Sequence, residues 1–167
     1  MPYSSEEGKE WMKKTILDLN PSSVLDIGAG SGTYFDLAAQ KGQKWWAVEI
    51  WSPYIQQFGL ANKYDGIILG DVRDILWPKV ELTIFGDVLE HMSKEDALIV
   101  WNKAISHSRY VLLSIPLGEY PQGAYEGNEY EEHKSTWTHE ECMRLPGVKA
   151  SEEGKVVGTY LAMGIPT

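Results

Sequence analysis

The sequence has one cysteine, Cys142, so no internal disulfide can form, as suits a reducing cytoplasm. Cys142 itself reads as a half-buried small apolar residue in a helix. Apolar runs of the length that a membrane span needs, about 18 residues or more, are absent. Residues 1–14 are polar and charged and lack the apolar core of a signal peptide. Basic runs are also missing. The nearest, Lys13-Lys14, sits on a mixed-charge amphipathic stretch and reads as a solvated face. With 24 acidic against 15 basic residues the net charge is −9, unsuited to gripping a long phosphate backbone. A small-molecule or protein partner is favoured over nucleic acid, and no membrane partner is expected. Repeats and low-complexity tracts are absent as well.

What remains is an ordinary globular composition, 43% apolar over 167 residues, enough for one domain with a core and little for a second. Short β-branched runs alternate with amphipathic segments, which implies a parallel sheet covered by helices on both faces. Helix is expected over 5–19, ended by Pro21, over 33–41, over 53–62 with Ser52 as cap and Pro53 at the first position, and over 93–106 with Ser93 as cap and Asp96 three residues on. Strands are expected at 24–27, 45–50, 67–69, 82–85 and 110–115. A terminal hairpin, 148–151 with 156–163, would turn at 152–155 with Gly154 at positive φ. Trp45 and Trp46, adjacent on one strand, must point to opposite faces as packing residues. His107 and His139 read as isolated surface residues.

One stretch breaks this rhythm. From 116 to 136 there is no helical or strand period, but three glycines, Pro121 and the aromatics Tyr120, Tyr125 and Tyr130. A structureless stretch of this length is a functional lid or disordered, and the aromatics favour an ordered substrate lid.

The most informative stretch runs from Val24 to Thr33, where a buried strand enters Gly28, Gly30 and Gly32 and then a helix. Glycines there let the backbone turn tightly and approach a ligand closely, and the following helix start offers free N–H groups. The dinucleotide fingerprint would place its third glycine at position 33, where Thr33 stands, which weakens a nicotinamide or flavin reading. Glu49 ends the second strand, where a carboxylate can take both hydroxyls of a ribose or simply be solvated. The neighbouring glycine loop favours the ribose. Asp71 follows the third strand, placed to accept from an adenine amine, and Ile50 and Trp51 supply apolar walls for the ring.

Taken together, the glycine stretch 25–32, Glu49, Gly70-Asp71-Val72 and Asp87-Val88-Leu89-Glu90-His91 resemble the ordered motifs of class I S-adenosylmethionine-dependent methyltransferases. The resemblance spans 24–115 and implies an α/β, doubly wound, mostly parallel seven-stranded sheet with an antiparallel last strand. It also implies S-adenosyl-L-methionine as cofactor, with Asp26, Gly28, Ala29, Gly30, Gly32, Thr33, Glu49, Ile50, Trp51, Asp71, Val72 and Asp87 around it. In that arrangement Gly28 to Gly32 line the methionine moiety, and Asp87 closes the pocket near the sulfonium.

Methyl transfer from a sulfonium chiefly requires alignment and exclusion of water, and a base only where the acceptor carries a proton. The catalytic candidates are Glu90, His91 and His133. Asp87, Glu90 and His91 would share one face if helical. With His133 they could bind a divalent metal, an arrangement similar to small-RNA 2′-O-methyltransferases. Against that stand the Asp in place of the first Glu and the acidic charge. His133 alternatively serves as a base or substrate contact, or these residues are structural. No Asn/Asp-Pro-Pro-Tyr/Phe run, Pro-Cys nucleophile or Ser-His-Asp ordering is present. The expected activity is methyl transfer to O or N of a small molecule, since the 87–91 stretch resembles a branch rich in sugar, quinone and natural-product enzymes. The rivals are methylation of RNA or protein and a non-catalytic cofactor-binding partner subunit.

Overall fold

Val24 and Leu25 are wholly buried although neighbouring side chains on a strand point to opposite faces, so the first strand must be covered on both sides. A computed structural model describes residues 5–165; the polar start at 1–14 and the ends of the expected 1–167 domain therefore lie partly outside the described residues. The strands are β1 (Ser23–Ile27), β2 (Lys44–Glu49), β3 (Gly66–Leu69), β4 (Val80–Gly86), β5 (Ser108–Pro116), β6 (Val148–Glu153) and β7 (Val157–Met163). They form one sheet in the order β3-β2-β1-β4-β5-β7-β6. β1, β2, β3, β4 and β5 pair in parallel, and β7 runs antiparallel to both β5 and β6. β7 is thus the one reversed strand, as the resemblance implies.

The helices are α1 (Lys9–Leu19), α2 (Thr33–Ala38), α3 (Ser52–Gln57), α4 (Lys94–His107) and α5 (His139–Met143). On one face Met12 and Ile16 of α1 and Tyr34 and Ala38 of α2 pack on Val24, Trp45 and Leu82. On the other, Val100 and Trp101 of α4 and Cys142 of α5 pack on Leu25, Phe85 and Leu113. Trp45 and Trp46 fall on opposite faces as expected. Among the described residues no helix is long and apolar enough to cross a membrane.

Element ends depart from expectation for local reasons. α1 starts at Lys9 because Gly8, at φ 81, makes a left-handed entry, and Asn20 (φ 43) closes it. α2 stops at Ala38, where Ala39 is already extended. Gly59, at φ 61, breaks the helix expected over 53–62 into α3 and a single 3₁₀ turn, Leu60–Asn62. Trp51, not Ser52, precedes α3. Ser93 does cap α4, accepting the Asp96 N–H at 3.1 Å, but the Asp96 carboxylate turns to Arg73. The reciprocal box sits instead at Thr138 and Glu141, ahead of α5.

The terminal hairpin forms, but Glu152 and Glu153 belong to β6 and Gly154 is not at positive φ. The glycine is needed for close approach, since a Cβ there would stand 2.6 Å from the Val157 carbonyl oxygen and 2.5 Å from the Glu7 carboxyl carbon. Glu7 accepts the N–H groups of Lys155, Val156 and Val157 at 2.9, 2.7 and 2.7 Å, which holds its carboxyl below the usual range. β6, at the sheet edge, has a register shift between Val148 and Ala150 and is largely exposed. Cys142 is fully buried rather than half-buried. His107 and His139 are half-buried rather than on the surface, with their Nδ1 atoms 2.9 Å from the Lys103 carbonyl and 2.9 Å from the Tyr160 hydroxyl.

The 116–136 segment is ordered by backbone hydrogen bonds, both within itself and to neighbouring elements. Leu117 bridges to Trp137, and Tyr125 and Asn128 exchange N–H···O bonds around Glu126 and Gly127, both at positive φ. A 3₁₀ turn, Glu129–Glu131, follows.

Candidate functional site

The sheet order reverses between β1 and β4, and a cleft opens at the carboxyl ends of the strands flanking that point, the usual ligand position in open α/β sheets. It encloses about 1040 Å³ of free space, its mouth included. β1 leads into Gly28 and Gly30 at φ 66 and 51, left-handed values that favour glycine. At Gly28 a side chain would also come within 2.6 Å of Val88 Cγ2. Both Gly28 and Ala29 donate their N–H to the Val48 carbonyl, which folds the loop over the end of β2.

Glu49 stands at that end, 4% exposed. One carboxylate oxygen accepts the Gly30 N–H at 3.0 Å and the other the Trp51 N–H at 2.8 Å. Burial raises its pKa, and these backbone bonds oppose the rise. Past β3, Asp71 takes two side-chain bonds from Arg73, at 3.0 and 2.6 Å, which hold its carboxyl below the ordinary range. At the end of β4 the Gly86 backbone lies against the buried Tyr34 ring, where a side chain would overlap it. Asp87 follows at φ 56, a strained value for a non-glycine residue, and accepts the Ser114 hydroxyl at 3.0 Å.

Ten of the expected residues line the cleft: Gly28, Ala29, Gly30, Thr33, Glu49, Ile50, Asp71, Val72, Asp87 and His91. Asp26, Gly32, Trp51, Glu90 and His133 do not. Asp26 is 1% exposed and accepts the Tyr64 hydroxyl at 2.6 Å within the fold. Burial pushes its carboxyl up to about 7, with the Glu49 charge adding and the Tyr64 bond opposing. Gly32 turns the chain into α2 at φ 80, beside the Lys63 side chain. Trp51 gives its N–H to Glu49, and its ring lies 6.4 Å from that of Tyr130.

On the far wall, the 116–136 segment and Tyr130 were expected, whereas Tyr54, Asn128, Glu131 and Lys134 were not foreseen. Tyr54 of α3 donates to Glu131 at 3.0 Å, and Asn128, Tyr130, Glu131 and Lys134 of the 116–136 segment face the glycine loop across the cleft. Burial pushes the Tyr54 phenol up to about 12. Only the aromatics of that segment signalled an ordered role; Asn128 and Glu131 lie in a stretch without periodicity.

Glu90, His91 and His133 meet beside the cleft, their nearest ligand atoms all within 4.8 Å of one another. Asp87 is not in this group. The 87–91 stretch is not an α-helix but a 3₁₀ turn at Leu89–His91, and Asp87, left-handed, turns to Ser114 instead. Glu90 is 1% exposed, and burial, with the nearby Asp87 charge, pushes its carboxyl well up. Burial pulls His91 down to about 4 and lowers His133.

No family model and no curated protein matches the chain by sequence. Solved structures match its fold. An S-adenosylmethionine-dependent methyltransferase from Clostridium acetobutylicum superposes with a TM-score of 0.71 at 13% identity, over 94% of this chain and 91% of that one. Magnesium protoporphyrin IX methyltransferase from Synechocystis PCC 6803, with SAH bound, gives 0.71 at 14%, over 94% and 83%. The 1,6-didemethyltoxoflavin-N1-methyltransferase of Burkholderia thailandensis, with substrate and S-adenosylhomocysteine bound, gives 0.65 at 17%, over 96% and 79%. The sheet with its reversed strand and flanking helices is the class I methyltransferase Rossmann fold.

Proposed function

We propose that this chain is an S-adenosylmethionine-dependent methyltransferase that moves a methyl group to an O or N of a small molecule. The observation that carries the reading is the position of Glu49: a buried carboxylate at the end of β2, on the cleft wall, one oxygen tied to the glycine loop and the other to Trp51. Each oxygen keeps a further lone pair for a ribose hydroxyl. Asp71 and Val72 stand where an adenine amine and ring edge would lie, and Ile50 gives an apolar wall. Two of the similar structures named above hold SAH and are named for methylating magnesium protoporphyrin IX and 1,6-didemethyltoxoflavin, which supports both the cofactor and the small-molecule class.

The bound cofactor supplies an already activated methyl group. The chain's own task is then to hold the two reactants in line and keep water out. Gly28 and Gly30 give the backbone closeness, and Asp87 closes the cleft beneath. The 116–136 segment acts as the acceptor lid, contributing Asn128, Tyr130, Glu131 and Lys134 to the wall opposite the glycine loop.

The reading is tested by equilibrium dialysis of the folded chain against S-adenosylmethionine and its demethylated product, followed by a product-release assay over pooled metabolites. Retention of both ligands with turnover of a small acceptor is expected. A folded chain that retains neither ends the proposal.

A further inference from the structure

We propose that Glu90, His91 and His133 form a binding site for a divalent first-row transition ion, such as manganese, cobalt or zinc, beside the cleft, with His91 in its wall. Among the described residues, the two carboxylate oxygens of Glu90 are the buried side-chain atoms left without a hydrogen-bond partner. A carboxylate removed from water and left bare is costly, and buried acids are ordinarily paired, hydrogen-bonded or coordinated to a metal. Among the described residues none donates to either oxygen. His133 Nε2 lies 4.0 Å from Glu90 Oε1, too far for a hydrogen bond.

The two imidazoles are arranged as ligands rather than as partners for Glu90. His91 Nδ1 lies 3.2 Å from the Glu132 carbonyl and His133 Nδ1 2.6 Å from the Tyr120 carbonyl. A carbonyl only accepts, so each Nδ1 carries the proton and each Nε2 presents its lone pair. This outer hydrogen bond to a backbone carbonyl is what fixes tautomer and ring angle in metal-binding histidines. The rings meet at 68° with centroids 4.9 Å apart, and one ligand atom from each of the three side chains lies within 4.8 Å of the other two.

The backbone builds this meeting from two distant pieces of chain. Lys134 and Ser135 both donate their N–H to the Glu90 carbonyl, at 2.8 and 3.0 Å. Together with the bond from His91 to Glu132, they zip the 3₁₀ turn to the end of the lid segment and set His133 over Glu90. An ion about 2.1 Å from each ligand, in tetrahedral geometry, draws ligand atoms to about 3.4 Å of one another. The present spacing is within 4.8 Å.

The donor set also selects the ion. Two imidazole nitrogens with one carboxylate oxygen suit manganese, iron, cobalt or zinc, whereas magnesium and calcium prefer an all-oxygen shell. Three protein ligands leave at least one position open, and His91 itself lines the cleft. On the methyltransfer reading, which this last step alone rests on, that open position holds an acceptor oxygen and polarises it as a Lewis acid.

The test uses the full chain, stripped with chelator and titrated calorimetrically with manganese, cobalt, zinc and magnesium, with metal content counted by elemental analysis. One ion per chain is expected, at least about tenfold tighter for zinc or cobalt than for magnesium, with the visible absorption of nitrogen-ligated cobalt. His133→Ala, on the half-exposed segment, and Glu90→Gln should each weaken binding by at least about tenfold, while His107→Ala leaves it unchanged. Circular dichroism identifies a variant that fails to fold, in which case His133→Gln takes its place. Absence of stoichiometric uptake, or uptake indifferent to both substitutions, overturns the site and leaves Glu90 as a protonated buried acid. S-adenosylmethionine binding measured on the same preparations separates this outcome from failure of the methyltransferase reading.

Discussion

The Tyr64 hydroxyl donates to the Asp26 carboxylate at 2.6 Å, across 38 residues of sequence and wholly inside the fold. It ties the central strand to the segment that follows α3, directly behind the glycine loop. Removing the donor leaves a buried carboxyl unsatisfied. Tyr64→Phe should therefore cost about 1–3 kcal/mol, read as a lower urea midpoint. An unchanged midpoint would show that Asp26 finds another partner.

The same pair sets a pH dependence. Asp26 titrates near 7 when folded and near 3.8 when unfolded, raised chiefly by burial and secondarily by Glu49. The folded state thus holds the extra proton between these values, and this contribution to stability is fully present below the unfolded pKa. It is lost as pH rises through about 7. Asp26→Asn should flatten the decline in stability between the two values relative to the parent chain. Parallel profiles for the two proteins would remove Asp26 as its source.

For the cofactor site, Glu49→Ala should weaken S-adenosylmethionine binding by roughly 2 kcal/mol through loss of charge-assisted hydrogen bonds. It should also loosen the Gly30 and Trp51 backbones, whose N–H groups it now satisfies. Calorimetry showing parental affinity would take Glu49 out of the site.

The terminal hairpin offers a test remote from the cleft. Glu7→Ala should speed amide exchange at Lys155, Val156 and Val157, because one carboxylate accepts all three N–H groups. Its pKa is lowered by those bonds, so their protection holds above the ordinary carboxylate range and is lost as pH falls through the depressed folded value. Gly154→Ala should act alike by forcing Glu7 away. Unaltered exchange in both variants would contradict the pinning.

If the 116–136 segment is the acceptor lid, S-adenosylmethionine with an acceptor should slow exchange at Asn128 and Glu131, which line the cleft. Equal rates with and without ligands would leave the segment a static wall.

What the sequence made legible was whatever a strand and its carboxyl end dictate. The runs at β1, β2, β4 and β5, the left-handed glycines and the acids at 49 and 71 depend on local chemistry and a fixed period, and they fell where expected. Asp26 was read with the glycine motif but shares its strand face with Val24, so it points beneath the helical layer of α1 and α2, not into the cleft. Tyr54, Asn128 and Glu131 were missed because their meeting is made by tertiary contact between α3 and an aperiodic segment. Gly154 was recognised for the wrong reason, since crowding by the Val157 carbonyl and Glu7, not backbone angle, requires it.

The register shift in β6 has a bearing on how copies of this chain meet. A sheet grows sideways only when its last strand offers an even, extended row of amides, and here that row is offset between Val148 and Ala150, with Lys149, Glu152 and Glu153 turned to water. The opposite border, β3, is only four residues long. Neither flank offers a neighbour a long, even rail, which disfavours growth of the sheet through a shared ladder.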